Sequence, residues 1–164
     1  MGQLERAKRL RIDVSIPADD PMWEGADWSL SGPLAVRLEA QRVGADVVVR
    51  GELAGTAELP CRRCLTPVRV DFAEDVTLLF RAGLAPAEAE LEDAYALPAR
   101  ATELDLTGPV REHVHLGIPR FVSCSETCKG FCPHCGVDLN RGECVCAPHE
   151  TDERWAALRR LARD

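Results

Sequence analysis

Eight cysteines limit the folds open to this chain more than any other residue type does. Six of them lie within the 23 residues of CSETCKGFCPHCGVDLNRGECVC, and the other two form the motif CRRC at 61–64. In a compartment where glutathione and thioredoxin keep thiols reduced, such clusters are typical of metal ligands rather than of disulfides. The sequence therefore predicts a fold that is held together in part by metal ions.

The amino terminus indicates such a reduced compartment. MGQLERAKRLRIDVSI has basic residues but lacks the apolar segment that follows them in a secretory signal. No run of the sequence approaches the roughly 18 apolar residues that a membrane-spanning helix needs. We expect a cytoplasmic protein that does not span a membrane.

A C-terminal site is predicted from the spacing of four cysteines. Cys132 and Cys135 form a Cys-x-x-Cys turn, and Gly136 after them permits a left-handed backbone that points N–H groups at sulfur. The next two cysteines follow after GVDLNRGE, which we interpret as a short hairpin. Tetrahedral zinc takes four such thiolates at about 2.3 Å. We predict that one zinc ion is held here, by Cys132, Cys135, Cys144 and Cys146.

The other four cysteines predict a bridging site. Cys61 and Cys64 lie in a turn between two predicted strands, whereas Cys124 and Cys128 have the spacing of one helical turn. A metal ion held by both pairs closes a long loop of the chain, so the free energy of metal binding contributes to the stability of the fold. A different division gives one metal to the four cysteines of 124–135, but it requires the last two cysteines to reach back to the sheet. We expect two zinc ions, although thiolate sites of this kind also accept iron.

Alternation of apolar and polar residues predicts an antiparallel β meander. One strand begins at Leu34 and a second begins at Asp46, after a turn at Gly44. Residues 68–80 place their apolar side chains on one face, as one long strand or a broken one does. LRIDVSI supplies a further strand. The interval 82–102 is rich in Ala, Pro and Glu, and we interpret it as a mobile acidic excursion with a short helix.

Two helices are predicted toward the carboxyl end. Apolar spacing indicates a helix over 105–118, and Thr151 is a suitable cap for a terminal helix in TDERWAALRRLARD. The predicted fold class is α+β: an antiparallel β meander with a few helices and a C-terminal cysteine-rich zinc ribbon. We expect a body at 1–120, which includes the CRRC turn and the 105–118 helix, and a zinc-binding region with the terminal helix at 121–164.

The charge of the chain limits its interactions with nucleic acid. The formal net charge is −7, and nonspecific binding to nucleic acid depends on Lys and Arg that neutralise phosphates. An acidic protein binds RNA poorly unless its basic residues share one face. Two basic segments could contact a partner in this way, and their residues are Arg6, Lys8, Arg9, Arg11, Arg154, Arg159, Arg160 and Arg163.

No motif in the sequence predicts catalysis. The sequence has no Gly-rich phosphate loop, nucleophile elbow or paired-carboxylate pattern, and two four-thiolate sites leave no open metal position. His113 and His115 are expected to be solvated on the predicted helix. The arginines of CRRC favour thiolate, which keeps a thiol oxidoreductase open as an alternative. Redox Cys-x-x-Cys motifs, however, normally open a helix, and this one lies between strands.

The order of these motifs resembles the YceD family, which is also known as domain of unknown function 177. CRRCLTPV, DLTGPVREHVHLGIP, the six-cysteine segment and TDERWAALRRL carry the resemblance, which runs from about Arg50 to the end of the chain. Members are linked to accumulation of 23S rRNA, and their gene often lies beside one for a large-subunit ribosomal protein. The resemblance implies a role in ribosome biogenesis, implies that all eight cysteines bind metal, and supplies no catalytic residue.

We therefore expect a non-enzymatic assembly factor that engages a basic large-subunit ribosomal protein, a 23S rRNA precursor, or both, and that has no small-molecule substrate. An acidic protein suits a basic partner, whose positive field would steer the encounter. One alternative is a zinc-ribbon module that binds nucleic acid directly in transcription or RNA processing. That alternative predicts a steep dependence of binding on salt, and the oxidoreductase alternative predicts a reactive thiol in the metal-loaded protein.

Overall fold

A computed structural model describes residues 9–98, 100–146 and 154. Its six-stranded sheet has the strand order β1-β3-β4-β5-β6, and β2 pairs with β4. The strands are β1 (Arg9–Ile16), β2 (Ser29–Leu30), β3 (Leu34–Val43), β4 (Asp46–Pro60), β5 (Pro67–Ala82) and β6 (Tyr95–Leu97). The helices are α1 (Pro86–Leu91), α2 (Thr107–Gly117) and a 3-10 turn at Pro21–Trp23. Within these ranges, no helix is both long and apolar enough to cross a membrane.

The prediction of a mainly antiparallel sheet with few helices is confirmed. β1, β3, β4 and β5 pair antiparallel with their neighbours, and β5 is one continuous strand of 16 residues. Leu34, Val36 and Leu38 are buried along one face of β3, as their alternation predicts. A sheet with one covered face and one solvated face produces this period of two.

The interpretation of 82–102 is wrong in one respect, because this interval contains a strand. β6 pairs with the end of β5 in parallel, with Phe80 opposite Tyr95, after the predicted short helix, α1, has returned the chain. The two rings pack with their centroids 5.3 Å apart, and Leu97 is buried. A strand of three residues is too short to show alternation, so the sequence pattern does not reveal it.

The core lies between the covered face of the sheet and α2. Val110 and Val114 of α2 are buried, and the helix packs against β5 and the 3-10 turn. The side chains that are most completely enclosed are Leu34, Leu53, Leu78, Val47, Val49, Val114 and Cys61. Leu106 lies at the N-cap of α2, and the carboxylate of Asp105 before it accepts a hydrogen bond from Thr107 N at 2.9 Å. That contact lowers the pKa of Asp105.

The two histidines of α2 differ in their surroundings. His115 Nδ1 accepts a hydrogen bond from the Trp28 indole N–H at 3.0 Å. His113 is half-buried, and its Nδ1 has no hydrogen-bond partner in the described part of the chain. The prediction of solvated side chains is therefore confirmed for His115, which is exposed, and wrong for His113, which is half-buried.

The solvated face of the sheet is covered by cross-strand ion pairs. Arg9 and Arg11 of β1 both approach Glu39 of β3, at 3.4 and 3.7 Å. Farther along, Arg37 pairs with Glu52 at 3.5 Å. Arg69 and Glu58 form a further pair at 3.3 Å between β5 and β4. Positive charge on this face is therefore compensated locally, by carboxylates on neighbouring strands.

Candidate metal centres

The eight cysteines form two groups of four. Within each group, the four sulfur atoms all lie within 4.8 Å of one another. The bridging site contains Cys61, Cys64, Cys124 and Cys128, and the C-terminal site contains Cys132, Cys135, Cys144 and Cys146. The division that places the cysteines of 124–135 on one metal is not the one that the structure forms. All eight thiols are free, so none is held in a disulfide.

Both groups have the dimensions of a tetrahedral metal site. Four sulfurs at about 2.3 Å from one ion are about 3.8 Å from each other, whereas a disulfide bond is only about 2.05 Å long. The measured Sγ–Sγ distances are 3.9 Å for Cys61–Cys128, 3.5 Å for Cys64–Cys124, 3.7 Å for Cys135–Cys144 and 3.2 Å for Cys132–Cys144. Each group could therefore hold one metal ion with four protein ligands.

The bridging site begins in the tight turn between β4 and β5. Cys61 N donates to Thr66 O, and Leu65 N donates to Cys61 O, both at 2.9 Å. Inside the turn, Arg63 N approaches Cys61 Sγ at 3.4 Å. The antiparallel pairing of β4 with β5 brings the two ends of this turn together. Both thiols of CRRC are consequently buried and directed to the same point.

The C-terminal site begins in a turn with the same hydrogen bonds. Cys132 N donates to Val137 O, and Gly136 N donates to Cys132 O, again at 2.9 Å. His134 N approaches Cys132 Sγ at 3.4 Å, as Arg63 N does in the first turn. Gly136 has the predicted left-handed backbone, with φ of 71°. The two Cys-x-x-Cys turns are therefore two copies of one local structure that points N–H groups at sulfur.

These N–H groups favour the thiolate form of the first cysteine in each turn. The backbone N–H of Arg63, followed by that of Cys124, lowers the pKa of Cys61 to about 6. The N–H groups of Cys135 and His134 lower the pKa of Cys132 to about 6. Because a metal binds the thiolate and not the thiol, each turn supplies a ligand that is already largely ionised near neutral pH.

At least one thiol of each group resists ionisation in the absence of a cation. The contact of Cys124 with the Cys64 side chain raises the pKa of Cys124 to about 12. The contact of Cys146 with the Cys144 side chain raises the pKa of Cys146 to about 12. Several negative charges within 4.8 Å repel one another, and a bound dication would remove that penalty. A bound dication would therefore be favoured electrostatically in both groups.

The segment between the two halves of the C-terminal site is not the predicted hairpin. Phe131 and Asp138 form an isolated antiparallel bridge, so the paired segments enclose the Cys132–Cys135 turn instead of lying within GVDLNRGE. The following residues form a turn, in which Arg141 N and Gly142 N donate to Asp138 O. The Cys132–Cys135 turn therefore lies at the end of these two paired segments, and GVDLNRGE contributes only the second of the two.

Asn140 connects the two sites, and no motif predicts this role. Its Nδ2 lies 3.6 Å from the sulfur of Cys128, a ligand of the bridging site. Its Oδ1 accepts a hydrogen bond from Lys129 N at 2.8 Å, and its Nδ2 also donates to Asp138 Oδ1. Asn140 itself belongs to the turn of the C-terminal site. Asparagine is common in turns, so its position shortly after Asp138 does not predict a contact with sulfur. Only the structure shows that contact.

The basic residues predicted to contact a partner are divided by the structure. Arg9 and Arg11 lie on β1, where both are paired with Glu39. Arg154 is exposed. The rest lie outside the described residues, as does most of the predicted terminal helix: Arg6, Lys8, Arg159, Arg160 and Arg163.

Comparison with known proteins adds a family and several relatives. A family model described as Large ribosomal RNA subunit accumulation protein YceD matches residues 49–162. A chloroplastic protein of Arabidopsis thaliana, named Large ribosomal RNA subunit accumulation protein YCED homolog 1, is 36% identical over 70 residues, which are 43% of this chain and 22% of that protein. An uncharacterized protein of Mycobacterium tuberculosis is 34% identical over 126 residues, which are 76% of this chain and 60% of that protein.

The similarity covers only part of each relative. The chain spans 22% of the length of the Arabidopsis protein and 60% of the length of the mycobacterial one. A chloroplastic protein of Zea mays with the same name as the Arabidopsis one is 36% identical over 58 residues, which are 20% of its length. No solved structure is significantly similar to the chain. The matched 49–162 region contains all eight cysteines.

Proposed function

Because this chain belongs to the YceD family of large ribosomal RNA subunit accumulation proteins, we propose that it is a factor in biogenesis of the large ribosomal subunit. It supports the synthesis, processing or stability of 23S rRNA and does not itself catalyse a reaction. The observation that carries the proposal is the pair of closed four-cysteine groups within the family region. A catalytic zinc keeps an open coordination position, whereas four thiolates fill every position of a tetrahedral ion.

The two groups hold structural zinc in this proposal. The 3.2 to 3.9 Å separations of their sulfurs suit zinc, and the C-terminal site with its cysteine turn serves as a zinc ribbon. The zinc ion of the bridging site fixes the region at 121–164 to the body at 1–120, because this site takes two ligands from each. Metal binding then contributes directly to the stability of the fold.

The partners that fit this role are a basic large-subunit ribosomal protein, a precursor of 23S rRNA, or both. The net charge of −7 favours a basic protein as one of them, since complementary fields speed and orient association. Eight free thiols are suited to the reducing cytoplasm, where we place this activity.

Quantification of ribosomal RNA in a strain that lacks this chain tests the proposal. We expect the ratio of large-subunit to small-subunit rRNA to fall, and we expect the wild-type gene to restore it. In a sucrose gradient of a lysate, the native protein should migrate with large-subunit precursors at low salt and leave them as salt rises. An unchanged rRNA ratio in the deletion strain contradicts the proposal.

Metal analysis of the purified protein tests the cofactor. We expect two zinc ions per chain by native mass spectrometry together with elemental analysis. Intact thiols should also be protected from alkylation until a chelator removes the metal, since closed sites leave no reactive thiolate. Rapid alkylation of one cysteine in the loaded protein would instead support the thiol oxidoreductase.

A further inference from the structure

Two of the four phenylalanines are exposed, and both lie beside the bridging site. Phe72 and Phe80 are buried in the core, as an apolar ring ordinarily is. Phe121 is 75% exposed and Phe131 is 38% exposed. Large apolar side chains that remain in solvent close together are typical of a contact surface rather than of a core.

Backbone hydrogen bonds join the segments that carry these two rings to the CRRC turn. Arg62 N donates to Val122 O at 2.9 Å, next to Phe121. Phe131 N donates to Arg63 O at 3.2 Å. The approach is close, because a Cβ on Gly130 would lie 2.9 Å from Arg63 O. These hydrogen bonds and the four cysteines of the bridging site hold three segments, 61–66, 119–124 and 128–131, next to one another.

This surface also has cations that nothing in the described structure neutralises. The side chains of Arg62, Arg120 and Lys129 are exposed and form no ion pair or hydrogen bond with any residue of the described ranges. Arginines on the sheet differ, since several of them face carboxylates across the strands. We name the exposed residues around the CRRC turn the basic–aromatic face, and they are Arg62, Arg120, Phe121, Lys129 and Phe131.

The local charge of the face is positive although the chain is acidic. Residues 61–66 and 120–131 contain four basic residues, one of which is Arg63, and a single carboxylate, that of Glu126. At physiological salt the Debye length is about 8 Å, so acidic groups elsewhere on the sheet are largely screened from a ligand here. A loaded four-thiolate site below the face has a charge of about −2. A negatively charged ligand is therefore favoured where it contacts the exposed arginines and the lysine of the face.

We propose that the basic–aromatic face binds single-stranded RNA, an inference that rests on the proposed function in 23S rRNA accumulation. Guanidinium and ammonium groups contact phosphates, and exposed rings stack on unpaired bases. Bases in a duplex are already stacked and cannot reach the rings, so the face selects single strands. The metal positions the face but does not touch the RNA.

Binding of a labelled single-stranded RNA of about 12 nucleotides to the zinc-loaded full chain tests this inference. Fluorescence anisotropy is recorded between about 50 mM and about 200 mM salt, with a duplex of the same sequence as a second probe. We expect Phe121→Ala and Phe131→Ala each to weaken binding about tenfold, because each removes one stacked base. Phe121→Trp should retain binding. Arg62→Ala and Arg120→Ala should each lower the salt slope by about 0.7.

Two variants elsewhere on the molecule serve as controls. Val43→Ala removes an apolar side chain at the end of β3 whose exposure, 55%, lies between those of Phe131 and Phe121. Arg37→Ala removes an arginine that is paired with Glu52. Both should bind RNA as the wild type does. Native mass spectrometry confirms that every variant still holds two zinc ions, so that a loss of affinity is not a loss of folding.

Three results overturn the inference: wild-type affinity in Phe121→Ala, equal affinity for the duplex, or equal weakening by the control variants. Competition by an acidic peptide such as polyglutamate, with no effect of Phe121→Ala, assigns the face to an acidic protein instead. The deletion strain separates this inference from the proposed function. If a variant deficient in RNA binding restores the rRNA ratio, the function stands and this face is not its basis. If deletion leaves the ratio unchanged, the function fails whatever the RNA affinity.

Discussion

Leu65 and Gly136 occupy the same position in the two cysteine turns, one residue after the second cysteine. Both have a left-handed backbone, with φ of 56° and 71°. This conformation costs a residue with a Cβ about 1–2 kcal/mol, and glycine avoids the cost. Leu65 gains little burial in return, because it is 63% exposed. Its strain is therefore held by the hydrogen bonds of the turn and by the sulfurs that converge on the bridging site.

The two positions should respond in opposite ways to exchange of their side chains. Leu65→Gly should leave the free energy of unfolding unchanged or raise it by up to about 1 kcal/mol, because strain is relieved. Gly136→Leu should lower it by about 1–2 kcal/mol and weaken zinc binding at the C-terminal site. Thermal unfolding and zinc competition with a chelator measure both effects. Gly32→Leu, at a position with open space and no positive φ, is the control. A clear loss of stability in Leu65→Gly would show that the side chain has an unrecognised contact.

Asn140 should make the two metal sites interdependent. Asn140→Ala removes the N–H that faces Cys128 sulfur, and residues that support a ligand in this way typically contribute 10–100-fold in metal affinity. We expect the bridging zinc to dissociate at a correspondingly lower chelator concentration. Alkylation followed by peptide mapping identifies which cysteines are released. Glu143→Ala alters an exposed residue of the same segment that forms no hydrogen bond with Asn140 in the described ranges, and it should have no such effect. Equal affinity in the two variants contradicts the role of Asn140.

Single residues differ in how far the sequence predicts them. The two sets of cysteines follow from spacing, because ligands of one ion must come from short turns. The left-handed Leu65 has no such basis, since leucine is not a residue that favours positive φ. The sulfur contact of Asn140 joins two turns whose relative position is set by the fold. Local chemistry is predictable here, but contacts between turns are not.

Among the elements, β3, β4 and β5 are predictable because one face of each is buried and the other is solvated. The same argument predicts α2, whose buried positions recur at helical spacing. β6 is not predictable, because three residues give no period and its partner is parallel. The extent of β4, at 15 residues, exceeds what alternation indicates, since Gly51 and Gly55 interrupt the apolar pattern.

Gly51 shows what the pairing of β3 with β4 requires. It lies opposite Leu38, and a Cβ at this position would be 2.0 Å from Arg37 O and 2.8 Å from Leu38 Cα. Gly51→Ala should therefore lower the free energy of unfolding by about 3 kcal/mol, because backbone atoms must move to admit the methyl group. Urea unfolding measures the loss. Gly32→Ala, with no atom within 4 Å of its Cβ, should unfold as the wild type does. If the two variants unfold alike, the register of β3 and β4 is wrong.

For the whole molecule, the bridging site is the connection between the sheet and the cysteine-rich region. The division into 1–120 and 121–164 stays a prediction, but the ligands of this site come from both sides of it. The C-terminal site takes its ligands from 132–146 alone. Damage to the C-terminal site should accordingly spare the sheet and reach the bridging site only through Asn140. Damage to the bridging site should release the region from the sheet.

Cys135→Ser tests this hierarchy. The variant should lose one zinc ion, and hydrogen exchange should accelerate in 129–146 while the sheet stays protected. Val145→Ala changes a side chain that is 98% exposed and lies between two ligands, so it should keep both ions. Mass spectrometry of exchanged peptides resolves the two regions. Equal loss of protection in β3 and β4 would falsify the assignment of ligands to two separate sites.

The cysteines of the bridging site are far apart in the sequence, so they are synthesised at different times during translation. Cys64 and Cys124 are separated by 60 residues, so CRRC leaves the ribosome well before its partners do. At about 5–20 residues per second, the first two thiols wait roughly 3–12 s as half of a site. The strands can pair during that interval, since all their residues precede Tyr95–Leu97 or lie within it. In the proposed function, zinc binding at the bridging site is then a late step, which requires that synthesis has passed Cys128.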